Sequence, residues 1–86
     1  MLVALSDRPE FALPGMKCKI ELPSKWIGSN SKEPTTICPG YIDGIAESGN
    51  ALFVNVRYSP KYKNSPCERM MCLKQDWNSI FVDIHV

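Results

Sequence analysis

The sequence lacks the features that most readily assign a function. Its apolar runs are all far shorter than the roughly 18 residues that a membrane-spanning helix needs, and its formal net charge is only +1. The single histidine, His85, shares a predicted strand face with Asp83 but has no recognisable serine or cysteine nucleophile beside it. We therefore expect a non-enzymatic protein with no cofactor, no bound metal and no membrane contact.

The chain also lacks an evident export signal, because the apolar stretch of residues 1–5 has no basic flank. A cytoplasmic location is the default expectation, and reduced thiols are then favoured over disulfides. Close cysteine pairs of the kind that bind zinc are missing too, since Cys67 and Cys72, the nearest pair, have four residues between them. Disulfide bonds and a metal site stay open as alternatives for the four cysteines, which are Cys18, Cys38, Cys67 and Cys72.

Stretches of period-two alternation joined by Gly and Asn turns are present throughout the chain after residue 14. They predict an all-β fold, a small five-stranded antiparallel barrel over residues 15–86 with one short helical turn at 75–79 before the last strand. The predicted strands cover residues 15–22, 37–47, 51–58, 68–74 and 80–86. Gly44, between Ile42 and Ile45, predicts a β-bulge or bend. Residues 1–14 are predicted to be an N-terminal extension that covers an open barrel edge or exchanges with a partner subunit.

The alternation also predicts which side chains form the core. Each expected core residue belongs to the inward set of its strand, and a register slip of one residue would expose that whole set. The predicted core consists of Cys18, Ile20, Leu22, Ile42, Leu52, Val54, Val56, Met71, Leu73, Ile80 and Val82.

The order of these elements resembles the SH3-like small-barrel superfold. Residues 39–45 followed by 51–56 look like the central hairpin of Tudor and related barrels. The proline-rich-peptide site of true SH3 domains is absent, because the long loop carries Lys25, Lys32 and Glu33 and a strand opens at Cys38 where that family has a tryptophan pair. The resemblance therefore implies a fold but not a ligand, since this superfold hosts many functions.

A second resemblance is to the type II dihydrofolate reductase barrel, a short chain with an N-terminal extension. Residues 69–73, Arg-Met-Met-Cys-Leu, fall where that family carries its Val-Gln-Ile-Tyr active-pore motif. Neither the glutamine nor the tyrosine is present. The resemblance thus does not imply reductase activity for this chain.

Aromatic residues are more numerous than a small aliphatic core requires. Phe53 and Phe81 alternate with the Val/Ile stripe of their strands, so they lie either beneath the N-terminal extension or in an exposed patch. The preferred hypothesis is a small module that binds a protein partner, or itself as a homo-oligomer, as phage and mobile-element proteins bind host factors. Its candidate binding residues are Trp26, Tyr41, Phe53 and Phe81.

The alternative hypothesis is a barrel that binds nucleic acid. Residues 57–74 carry five basic side chains against Glu68 alone, and tyrosines alternate with them. Basic groups neutralise phosphates and aromatic faces stack on bases, so this composition suits a single strand or an RNA. The candidate residues are Arg57, Tyr58, Lys61, Tyr62, Lys63 and Lys74.

Overall fold

The protein is an antiparallel β-structure in a computed structural model that describes residues 1–27, 32–57 and 67–84. Within these residues six strands form one sheet with the order β1-β6-β2-β3-β4-β5. The strands are β1 Leu2–Ala4, β2 Lys17–Pro23, β3 Thr35–Ile45, β4 Ala51–Arg57, β5 Cys67–Leu73 and β6 Ile80–Asp83. Three short 3-10 turns, at Pro9–Phe11, Ser24–Ile27 and Lys74–Ser79, join them. The all-β prediction is confirmed, and so is the helical turn before the last strand.

The sheet has one strand more than the five predicted from the sequence. The additional strand is β1, which lies within the predicted N-terminal extension and pairs with β6 through Val3 and Val82. In the described ranges β5 pairs only with β4, and β1 only with β6, so the sheet is open where a closed barrel was expected. Local alternation could not identify β1, because three residues are too few to show a period.

Strand β2 lies inside the sheet and organises it. Its side chains alternate between buried and exposed along its length, as the sequence predicted. It pairs with β3 from Lys17 to Pro23, and on its other side with β6 over a shorter stretch from Cys18 to Ile20. The first predicted strand thus supplies both the core stripe and an outward row of charged side chains.

The predicted core is confirmed except on β5. All its members are buried apart from Met71, which is 58% exposed, and Leu73, which is 45% exposed. The pairing of β5 with β4 places Cys72 opposite the buried Leu52 and Met70 opposite the buried Val54, so the two predicted residues face the other side. The prediction was one residue out of register there because residues 70–73 are all apolar and show no alternation.

Residues outside the predicted set complete the core. Leu5, which follows β1, and Cys38 are fully buried, and Trp77 of the last 3-10 turn is 4% exposed. The Trp77 indole Nε1–H donates a hydrogen bond to the Cys72 carbonyl oxygen at 3.3 Å, which satisfies its only polar atom. The tryptophan therefore caps the core at the connection from β5 to β6.

Two glycines shape β3. The pairing of β3 with β4 shifts register between Ile42 and Gly44, which confirms the predicted bulge. At Gly40 a Cβ atom would overlap the main-chain oxygen of Asn55. Glycine is thus required there for β3 to approach β4. No helix in the described residues is long and apolar enough to cross a membrane.

Candidate functional site

A groove lies over one end of strands β2, β3 and β4, and we call it the basic groove. It encloses a cavity of about 670 Å³. Lysines from β2, an aromatic residue from β3, an amide and an arginine from β4 and the first residue of β5 meet there. The lining residues are Gly15, Lys17, Cys18, Lys19, Pro39, Gly40, Tyr41, Asn55, Arg57 and Cys67.

Strand register brings the polar residues of the basic groove together. Lys17 is the partner of Tyr41 across β2 and β3, and Tyr41 is the partner of Asn55 across β3 and β4. Directly paired residues on antiparallel strands share a face with Cβ atoms about 5 Å apart. A lysine, a tyrosine and an asparagine therefore form one row across three strands.

The basic groove carries charge of one sign. Lys17, Lys19 and Arg57 line it, and its described lining contains no carboxylate. Two exposed carboxylates lie near it, and each contacts a cation of its own. One of them, Asp83, lines a small neighbouring cavity together with Lys17 and Lys19. Asp43 forms an ion pair with Arg69 at 2.9 Å, and Asp83 accepts a hydrogen bond from the N-terminal amine of Met1 at 2.7 Å. Three cations in a concave site with partly apolar walls favour an anionic ligand.

A second cavity, of about 360 Å³, lies between the end of β2, the turn Ser24–Ile27 and strand β5. We call it the β5 cleft. Its walls are mostly apolar, with two polar residues contributed by the last 3-10 turn. The lining residues are Ile20, Glu21, Leu22, Pro23, Trp26, Met70, Met71, Cys72, Asp76 and Ser79.

The β5 cleft borders a free main-chain edge. The Lys74 amide donates a hydrogen bond to the Asn50 carbonyl oxygen at 2.9 Å. Main-chain groups alternate in direction along a strand, so Cys72, Met70 and Glu68 also direct their N–H and C=O groups toward β4. The intervening residues direct their N–H and C=O groups away from β4, toward the side where the described residues provide no further strand. These intervening residues are Cys67, Arg69, Met71 and Leu73.

Large apolar side chains are exposed at this edge. Met71 and Leu73 lie on the outer face of β5, and Trp26, on the opposite wall of the β5 cleft, is 66% exposed. Free main-chain groups beside exposed apolar side chains are the features that natural sheets normally suppress at an edge. The surface formed by Trp26, Met71 and Leu73 is therefore suited to contact with another polypeptide.

The four aromatic residues predicted to bind protein do not form one patch. Trp26 lines the β5 cleft and Tyr41 lines the basic groove. Phe53 is half-buried beneath the Arg69 guanidinium, 4.1 Å from its ring centroid, rather than beneath the N-terminal residues. Phe81 is half-buried on β6, where its strand partners are Ala4 and Lys19.

The residues predicted to bind nucleic acid are also divided. Arg57 lines the basic groove, whereas Lys74 follows the opposite end of β5, about 20 Å away along the strand. Tyr58, Lys61, Tyr62 and Lys63 lie outside the described residues, as does His85.

Sequence reasoning missed three groove residues and the β5 edge. The outward position of Lys17 and Lys19 was visible in the alternation of β2, but nothing local showed that they would meet Arg57. Asn55 is not among the candidate residues that the sequence predicts. Met71 was assigned to the core, so its exposure was not anticipated.

The cysteines show no sign of a shared site. None of the four, all of which lie in the described residues, forms a disulfide, and no described group of three or more His, Cys, Asp or Glu side chains could hold a metal ion. Burial raises the pKa of the Cys18 thiol to about 11, with a smaller contribution from Cys72, and burial likewise raises the pKa of Cys72 to about 11. Such thiols are protonated at neutral pH and are poor nucleophiles and ligands.

Comparison of the chain with protein-family models, with curated proteins and with solved structures finds no match.

Proposed function

We propose that this protein is a non-enzymatic binding module that takes up an extended segment of a partner protein along the free edge of β5. The observation that carries the proposal is the edge itself. Cys67, Arg69, Met71 and Leu73 direct their main-chain groups away from β4, and two of them expose large apolar side chains. An extended peptide that adds to such an edge gains affinity from main-chain hydrogen bonds.

The two edges of the sheet differ in how well they would accept a strand. β1 offers only three residues, and short edges accept added strands poorly. β5 offers seven residues with no proline, and its charged residues, Glu68 and Arg69, lie near one end. From Met70 to Leu73 the edge carries apolar side chains only. β5 is thus the edge that supports a docking strand.

The β5 cleft supplies the means of selecting a partner. Alternate side chains of an added strand point to opposite faces. On one face they would enter the cleft between Trp26 and Met70, and on the other they would lie beside Leu73, while Met71 borders the cleft as well. The preferred segment therefore has apolar side chains on both faces near its centre. This composition would distinguish it from a solvated loop.

We propose further that the sheet is a half-open barrel of the SH3-like type. The order β6-β2-β3-β4-β5, with a bulge in β3 and a 3-10 turn before β6, supports this proposal. Residues of β2 and β5, which are not neighbours in the sheet, line the same cleft, as they would in a sheet that curls toward closure. In this arrangement the partner segment would occupy the opening of the barrel.

The experiment that tests the proposal begins by selecting peptides of random sequence that bind the full chain. Their affinities are then measured for the wild type and for Met71→Pro. Proline removes the N–H that points to the free edge and leaves the hydrogen bonds from β5 to β4 in place. We expect Met71→Pro to weaken peptide binding by about tenfold or more, which corresponds to the loss of one or two main-chain hydrogen bonds and their neighbouring contacts.

Leu2→Pro is the matched control, because Leu2 also directs its N–H to a free edge, that of β1. The direction follows from the hydrogen bonds that its neighbours on β1 make to β6, from the Ile84 amide to the Met1 carbonyl and from the Leu5 amide to the Ile80 carbonyl. It should leave peptide affinity unchanged. Equal losses for both variants, or unchanged binding by a folded Met71→Pro protein, would contradict the proposal. The solution mass completes the test, since a dimer that Met71→Pro dissociates would identify a second copy of this chain as the occupant of β5.

A further inference from the structure

We infer that the basic groove is a second binding site, and that its ligand is single-stranded nucleic acid. The groove and the β5 cleft are separate cavities, and within the described residues no side chain lines both. The inference does not depend on the proposed strand addition at β5. Three observations carry it: the charge of the groove, the arrangement of its cations, and the aromatic and amide groups between them.

The cations of the basic groove are arranged to follow a phosphate backbone. Lys17 and Lys19 are two residues apart on β2 and point to the same face, so their Cα atoms lie about 7 Å apart. Arg57 lies on β4, directly after Val56, the strand partner of Gly40. Strand β3 separates β4 from β2, so Arg57 is two strand spacings, about 10 Å, from the lysines' strand. A strand of phosphates that enters beside the lysines can therefore reach the arginine without leaving the groove.

The groups between the cations suit bases more than side chains of a protein. Tyr41 is 46% exposed, so its ring is available for a base to stack on it. Its strand partner Asn55 supplies an amide that can both donate to and accept from the edge of a base. Pro39 adds an apolar surface beside them. An acidic peptide without aromatic side chains would use the cations but would offer no ring to stack on Tyr41.

The volume of the groove favours a single strand over a duplex. The groove is walled by single β-strands and its cavity of about 670 Å³ is in the range of a small-molecule pocket. That volume accommodates a few stacked nucleotides but not a double helix. Tyr41 and Asn55 line the groove beside its cations, so an unpaired base can contact them.

The test is fluorescence anisotropy with four labelled probes of equal length: oligo-dT, oligo-U, a mixed-sequence DNA duplex and poly-glutamate. We expect the two single strands to bind the wild type with Kd below about 100 μM at 50 mM salt, the weak end of non-specific affinity. Neutralisation of three phosphates predicts a slope of log K against log salt of about −2, hence a weakening of about twentyfold between 50 and 200 mM salt. The duplex and poly-glutamate should bind more weakly.

Matched variants assign the binding to the groove. Lys17→Gln/Lys19→Gln should reduce affinity by about tenfold and lower the salt slope by more than half, because two of three phosphate contacts are lost. Tyr41→Leu should lower affinity by about fivefold or more with the salt slope unchanged, because it removes stacking but no charge. The control Lys25→Gln/Lys32→Gln makes the same change of charge at exposed positions outside the groove and should bind as the wild type does.

Three results would overturn the inference. The first is the absence of any binding of oligo-dT and oligo-U at 50 mM salt. The second is an equal loss of affinity in the two double-lysine variants, which would mean that the nucleic acid is attracted by the protein's positive charge in general and not by the groove. The third is tighter binding of poly-glutamate than of both single strands, which would assign the groove to an acidic protein. Circular dichroism and urea midpoints establish that each variant is folded.

Discussion

The Arg69 guanidinium lies over the ring of Phe53, with its Cζ atom 4.1 Å from the ring centroid. The same side chain forms an ion pair with the Asp43 carboxylate, in which Nε lies 2.9 Å from a carboxylate oxygen. Arg69 thus joins three strands of the outer face, because Asp43 belongs to β3, Phe53 to β4 and Arg69 to β5. It also lies between the basic groove at one end of this face and the exposed Met71 at the other.

The first prediction concerns the two contacts of Arg69. Arg69→Ala should lower the free energy of unfolding by about 1 kcal/mol, because it removes a cation–π contact together with an exposed ion pair. Asp43→Asn removes the ion pair alone and should cost less than about 0.5 kcal/mol. Urea denaturation of both variants measures the difference. If Asp43→Asn proved as damaging as Arg69→Ala, the stacking on Phe53 would contribute nothing.

The second prediction concerns the approach of β3 to β4 at Gly40. Gly40→Ala should destabilise the protein by about 1–3 kcal/mol, because the new methyl group would overlap the main-chain oxygen of Asn55. Gly44→Ala is the control, since a Cβ atom there has nothing within 4 Å, and it should change stability by less than about 1 kcal/mol. Thermal or urea unfolding provides the measurement. Equal stability of the two variants would mean that β3 can move away from β4.

The third prediction concerns thiol reactivity. Cys67 is exposed, whereas Cys18, Cys38 and Cys72 are buried and burial raises the pKa of each. A thiol reagent at about pH 8 should therefore label one cysteine of the folded protein rapidly and the other three only after denaturation. Mass spectrometry of the labelled peptides identifies the residue. Rapid labelling of Cys18 or Cys72 would show that the core opens more readily than its packing implies.

The fourth prediction follows from the same thiols at higher pH. The pKa of Cys18 and Cys72 is raised to about 11 in the folded protein from an ordinary value of 9.0. Between these two values the unfolded chain loses thiol protons that the folded protein keeps. The stability present below about pH 9 is therefore progressively lost as the pH rises toward about 11. Urea midpoints over this range measure the loss.

Variants at these cysteines isolate the thiol contribution from that of other groups that titrate at high pH. Cys18→Ala/Cys72→Ala should show a shallower fall of stability with pH than the wild type, even if it is less stable at neutral pH. Cys67→Ser, at the exposed cysteine, should follow the wild-type slope. If the double variant lost stability as steeply as the wild type, the buried thiols would not be responsible.

Sequence reasoning succeeded where the pattern was local. The alternation of Cys18, Ile20 and Leu22 on β2 fixed the register of that strand, and the three-residue spacing of Ile42 and Ile45 located the bulge. In both cases the pattern depends on which face of a single strand is buried, and the alternation of apolar and polar residues within that strand shows this face.

It failed where the information is carried by pairing between distant residues. Residues 70–73 are all apolar, so only the partners of Cys72 and Met70 on β4 decide which side of β5 faces inward. The basic groove likewise depends on pairing between residues that are distant in the sequence. Lys17, Tyr41 and Arg57 are far apart in the sequence, and they meet only through the registers of β2 with β3 and of β3 with β4. The basic segment of residues 57–74 stays a prediction, because most of its candidate residues lie outside the described ranges.

The position of β6 between β1 and β2 has a consequence for the order of folding. Strands β2 to β5 each pair with their neighbours in sequence, so this meander can form early through contacts of low sequence separation. β6 follows all of them along the chain, yet it must insert beside β2, and β1 then closes a loop of about eighty residues onto it. Until β6 arrives, the β2 edge from Cys18 to Ile20 lacks its partner strand. A nascent chain of this protein would thus present an extra unpaired edge to chaperones and to other copies of itself.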